Sequence, residues 1–102
     1  MAAALLGIDS LVSTADSFAD GRPHLAGTRV TVAWIAALAA EGLTPMEIVG
    51  DVFEGRLTLA QVHAALSYYH QNREAIDAVE RARDRDYASR AAASESLADR
   101  PR

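Results

Sequence analysis

Three short amphipathic stretches, each opened by a threonine, set the pattern of this chain. Val32, Ile35, Leu38 and Ala39 step by three and four residues behind Thr31, which predicts a capped helix over about 32–40 that ends where Gly42 supplies a left-handed C-cap. Trp34 lies off that stripe, which leaves two places for it: packed on the segment before the helix, or at a subunit contact. Thr44-Pro45-Met46-Glu47 has a cap, a proline at the first helical position and a glutamate three residues after the cap. It predicts a short helix over about 45–49 that stops near Gly50, then a loop over 51–57 anchored by Val52, Phe53 and Leu57. Thr58-Leu59-Ala60-Gln61 repeats the capping box and opens the longest helix, with Leu59, Val62, Leu66 and Tyr69 along one face. Past Asn72 the stripe resumes at Ile76 and Val79, so the helix continues or restarts and runs to about Arg85.

The flanks are weaker. Leu5, Ile8, Val12 and Ala15 have helical spacing, but Ser10, Ser13, Thr14 and Asp16 interrupt it, so 5–18 reads as a helix or an irregular arm. Asp20-Gly21 marks a turn. From Gly21 to Val32 the chain reads as an entry arm: a Gly-Arg-Pro turn, a short extended segment and the Gly27-Thr28-Arg29 step. From Ala88 the composition turns to alanine and serine with scattered charge, which predicts a tail that is disordered in isolation. The expected organisation is an N-terminal arm over 1–20, a helical domain over 21–79 and a charged, Ala/Ser-rich tail over 80–102. The expected fold is all-α, with three helices in a helix-turn-helix arrangement and a C-terminal helical extension.

Composition narrows the function classes. With 102 residues the chain is one domain, and well over a third of its apolar residues are alanine, so the core is thin and suits a partner or a twin. No cysteine is present, which excludes a disulfide framework, a thiol nucleophile and a cysteine zinc site. The apolar start lacks a basic flank and is broken at Gly7 and Asp9, and nothing approaches a membrane-spanning length; a cytoplasmic protein is the expectation. Residues 1–79 hold four arginines against nine carboxylates, five units negative, and the whole chain has no lysine and a formal charge of −4. Such an acidic domain is poor material for a solitary nucleic-acid binder.

The candidate chemistry is binding rather than catalysis. If the helix from Thr58 is a recognition helix, Gln61, His63 and Ser67 face away from its apolar stripe, and Arg56 and Thr58 stand at its start. Gln61 can contact adenine in bidentate fashion, and Arg56 with the helix N-terminus can hold phosphate. The same residues equally suit the solvated face of a three-helix bundle. His63 and His70 share a face and His70 with Glu74 has i,i+4 spacing, but there is no third strong ligand, so no metal is expected. There is no nucleophile elbow, phosphate loop or carboxylate pair, so no enzyme and no cofactor are expected. Arg81 and Arg83, among mixed charge around Ile76 and Val79, suit either a solvated helix or a segment that docks in a partner's groove.

The run Gly21-Arg22-Pro23 through Gly27-Thr28-Arg29-Val30-Thr31-Val32, the step Gly42 to Ile48, Leu57-Thr58, and Ala64-Ala65-Leu66-Ser67-Tyr68-Tyr69 leading to Asn72–Asp77 resemble the domain-of-unknown-function family 433. Gly21, Pro23, Gly27, Thr28 and Arg29 carry its motif, and the resemblance covers about Ser13 to Val79. Members look like the antitoxin halves of VapB-type toxin–antitoxin pairs, whose partner is typically a PIN-like ribonuclease. The resemblance implies a homeodomain-like three-helix fold, a homodimer, a toxin partner and operator DNA. The alternative is an interaction adaptor that keeps the helix-turn-helix shape and uses Trp34, Tyr68 and the tail as contact surfaces. Where the family usually has an acidic-aromatic-proline step before Leu-Thr, this chain has Asp51-Val52-Phe53-Glu54-Gly55-Arg56, which implies a looser entry to the third helix.

Overall fold

Gly27, at φ +75°, reverses the chain between Leu25 and Val30, so the arm before the first helix is a tight β-hairpin. A computed structural model describes residues 11–14 and 21–98, with side-chain surroundings up to Ala93. The Leu25 N–H donates to the Val30 carbonyl at 2.9 Å, His24 bridges to Thr31, and the Val32 N–H reaches the Pro23 carbonyl at 3.0 Å. Thr28 closes the turn from inside: its hydroxyl donates to the Leu25 carbonyl at 2.8 Å and accepts from the Val30 N–H at 3.1 Å. Gly27, Thr28 and Arg29 are thus the turn residues of this hairpin.

On the other side of the hairpin, β1 (Val12–Ser13) pairs antiparallel with β2 (His24–Leu25), Val12 opposite Leu25 and Ser13 opposite His24. The fold is therefore mostly helical with a small two-stranded sheet, which corrects the all-α expectation. The helix or irregular arm read over 5–18 holds a strand at 12–13, and its other residues, apart from 11 and 14, lie outside the described ones. The physical reason is that the open edge of β2 offers backbone partners to a β-branched valine, a bond that no local periodicity encodes.

The helix starts follow the threonines. Helix α1 (Val32–Ala40) is capped by the Thr31 hydroxyl, which accepts from the Trp34 N–H at 3.1 Å. It ends in a Schellman turn: the Gly42 N–H donates to the Ala39 carbonyl and the Leu43 N–H to the Leu38 carbonyl, with Gly42 at φ +100°. Helix α2 (Pro45–Glu47) has the full capping box, Glu47 N–H to the Thr44 hydroxyl at 3.2 Å and Thr44 N–H to the Glu47 carboxylate at 2.9 Å. The backbone bond from Thr44 holds the Glu47 carboxyl below the usual carboxylate range, helped by the Thr44 hydroxyl.

The expected stop near Gly50 does not occur; the chain runs on as a π-helical turn over Ile48–Val52, and the Phe53 N–H donates to the Ile48 carbonyl at 3.2 Å. Five residues span about 140° beyond one turn of an α-helix, so an α-helical path would put Ile48 and Phe53 on different faces. The wider turn seats both in the core. Glu54 and Gly55, both at positive φ, then reverse the chain toward α3 (Leu59–Gln71), where Thr58 and Gln61 form a second complete capping box. Asn72 breaks the helix, its amide donating to the Tyr68 carbonyl at 3.0 Å, and α4 (Arg73–Ala98) starts anew. The tail expected to be disordered from Ala88 is instead helical to Ala98, since its alanines are strong helix formers and Asp86 pairs with Arg90 at 2.9 Å in the favourable i,i+4 order.

Leu25, Val32, Ile35, Ile48, Val62 and Ala65 are fully buried where α1 and α3 pack, with Phe53, Leu57 and Ile76 closing the core. The ribbon lies against α3, and Ala64, 2% exposed, lets it approach.

Candidate functional site

Helix α4 meets the domain through its first two turns. Ile76 is buried, the Tyr69 hydroxyl donates to the Asp77 carboxylate at 2.9 Å, and Arg22 in the arm donates to the Glu80 carboxylate at 2.8 Å. Beyond Glu80 every residue from Arg81 to Arg90 is exposed, and the molecule measures 69 × 28 × 23 Å, drawn out by a helix of about 39 Å. Of the proposed partner-binding residues, Tyr68 and Val79 line a groove of about 250 Å³ between the arm and α4, with Pro23 and Ile76 in its wall. Val79 is 46% exposed there, whereas Arg81 and Arg83 lie on the projecting stretch.

The bond to Asp77 raises the Tyr69 pKa above the ordinary tyrosine value, with burial and the Asp77 charge acting in the same direction. A raised folded-state pKa means that this contribution is complete below the ordinary tyrosine pKa and is lost as pH rises through the folded value. Tyr69→Phe is expected to cost about 1 kcal/mol at neutral pH and to flatten the decline in stability across the alkaline range. Urea unfolding of both proteins at a series of pH values measures it; an equally steep alkaline decline in the variant would remove the bond from the account.

The recognition-helix candidates are divided by the fold. Thr58 and His63 are exposed and Ser67 is half-buried, but Gln61 turns back on the helix start, its amide oxygen accepting from the Thr58 N–H at 2.7 Å. Arg56 is exposed, and its Nε donates to the Phe53 carbonyl at 3.2 Å. The open face of α3 presents Leu59, Ala60, His63 and His70 and carries no lysine or arginine. Among the described residues no group of three or more His, Cys, Asp or Glu could hold a metal ion. His70 instead packs edge-on against Tyr69, ring centroids 5.6 Å apart.

Trp34 sets its ring edge-on to Phe53, just past the π-helical turn, at a centroid distance of 5.0 Å, and stays 46% exposed. Of the motif residues, Gly21 (φ +78°) and Gly27 turn the backbone, Pro23 and Thr28 support the hairpin, and Arg29 stands exposed at its tip. Sequence reasoning missed His24, which is 1% exposed and donates from Nδ1 to the Arg22 carbonyl at 2.9 Å. It also missed the Arg22–Glu80 and Tyr69–Asp77 links, which join the arm to α4 and, across the helix break at Asn72, α3 to α4. No described helix is long and apolar enough to cross a membrane.

A family model with the description "Protein of unknown function (DUF433)" matches residues 12–69, from the first residue of β1 to the last inward side chain of α3. No curated protein and no solved structure matches the chain.

Proposed function

This chain belongs to the DUF433 family, and from that premise we propose that it is the antitoxin-like component of a toxin–antitoxin pair, acting in the cytoplasm. In this reading α4 reaches out to a PIN-like ribonuclease toxin, and the ribbon with α1–α3 forms a homeodomain-like helix-turn-helix unit that self-associates and reads operator DNA. The observation that carries it is the exposure of α4 from Arg81 to Arg90. A helix that is polar all round gains little from its own domain, and i,i+4 pairs such as Asp86–Arg90 contribute only tenths of a kcal/mol each. Its arginines and the exposed Val79 and Tyr87 suit the acidic and apolar lining of a partner's groove.

The test is to express the neighbouring open reading frame with and without this chain, scoring growth and copurification together. Toxicity relieved by a stable complex is the expected result, and a harmless neighbour that forms no complex would overturn the reading. A second reading, an interaction adaptor that binds no DNA, is favoured by the cation-free face of α3 and the engagement of Gln61 in its cap. Retention on heparin at low salt separates the two, because an adaptor of formal charge −4 flows through.

A further inference from the structure

Two hollows of opposite charge adjoin Trp34 and share only that residue. One, of about 290 Å³, is walled by Phe53 and carries Arg29 and Arg56. The other, of about 420 Å³, has an alanine floor on α1 that includes Ala37 and Ala40, and an acidic rim of Asp77, Glu80 and Asp84 on α4. Trp34 stands between them, and Ala37 and Ala40 beside it are exposed. The domain has few positive charges, and it places them unevenly. Arg22 and Arg73 pair with Glu80 and Asp77, at 2.8 Å and 3.8 Å, and Arg29 and Arg56 both line the hollow beside Trp34. On the acidic side Asp77 and Glu80 already hold partners, and Asp84 has none among the described residues.

We propose that this face of α1 is the interface through which two copies of the chain pair. A two-fold axis requires a patch that is complementary to itself, residue i on one copy meeting residue j on the other and the reverse. An axis passing at Trp34 does this here: it lays the arginine hollow of each copy over the acidic groove of the other and sets the two indoles side by side on small alanines. Tryptophan and arginine are the residue types that dominate interface energetics, and alanines allow two helix backbones to approach closely. Arg56 of each copy then faces Asp84 of the other. The inference rests on the proposed function for its expectation of a homodimer.

Sedimentation of the full chain over a concentration series tests it, together with acrylamide quenching of Trp34, which is the sole tryptophan and reports on this face directly. The expected result is a dimer whose formation protects Trp34 and weakens with added salt. Arg56→Glu and Asp84→Arg are each expected to raise the dissociation constant about tenfold, because each contact occurs twice. Both changes in one chain are expected to restore it to within about threefold of the parent. Circular dichroism confirms that each variant folds. A parent chain that stays monomeric, a dimer that leaves Trp34 equally quenched, or charge reversals that add rather than compensate would each overturn the proposal. So would a monomer whose Trp34 is protected only on adding the toxin, since the face would then belong to that partner. A toxin complex formed by a monomeric chain leaves the antitoxin reading standing and this inference fallen; a charge-compensated dimer with no toxin partner does the reverse.

Discussion

Ending the chain at Glu80 is expected to abolish capture of the proposed toxin partner while moving the melting temperature of the helical domain by only a few degrees. Among the described residues, the removed ones include no member of the core: everything from Arg81 to Arg90 is exposed, while Ile76, Tyr69–Asp77 and Arg22–Glu80 lie at or before the cut. Surface positions away from caps and cores typically contribute within about 0.5 kcal/mol each. Partner binding, by contrast, loses Arg81, Arg83 and Tyr87 together, a set of long side chains that can anchor an interface. Copurification with the toxin and rescue of growth are the measurements, with thermal unfolding as the control for folding. A truncated chain that still neutralises the toxin would move the partner site onto the domain itself, where the groove lined by Tyr68 and Val79 becomes the next candidate.

Replacing Leu25 by alanine is expected to cost about 2–5 kcal/mol, a large share of the roughly 5–15 kcal/mol available to a domain of this size. Leu25 is fully buried, and it sits in the central strand of the arm, paired with Val12 on one side and held by the Val30 carbonyl on the other. Truncating it leaves a cavity between the ribbon and the helices that tight neighbours such as Val32 and Ile35 cannot fill without moving α1. Ala26, next in the chain and exposed, is the matched control, and Ala26→Ser is expected to be near neutral. Urea denaturation of the three proteins decides the matter. A loss below about 1 kcal/mol for Leu25→Ala would mean that the arm only leans on the domain, and that the family motif residues around it have some role other than holding the core.

What could be read in advance was whatever a few consecutive residues settle among themselves. Thr31, Thr44 and Thr58 cap the helices they precede, and the glutamate and glutamine three positions on complete two capping boxes, because cap hydrogen bonds close within one turn. Gly42 ends α1 as expected, since only the local backbone is involved. The candidate binding face was less legible. By sequence Gln61 suits both a cap and a base contact, and the fold commits its amide oxygen to the cap. By sequence Trp34 suits either the arm or a subunit contact, and the fold gives it a contact with Phe53 while leaving nearly half of it open.

The sequence by itself determined where the helices begin, where α1 stops, and that the chain is an acidic domain without cysteine, because those properties depend on nearest neighbours along the chain or on composition alone. Only the tertiary structure decided that the entry arm is a hairpin with Val12–Ser13 added at its edge, that Ile48 and Phe53 share the core through a π-helical turn, and that Arg22 and Tyr69 moor α4. Each of these relies on hydrogen bonds or packing between segments brought together by burial of the same small core. Such contacts leave no period in the sequence, since the free energy that fixes them is gained only when the distant partner is already in place.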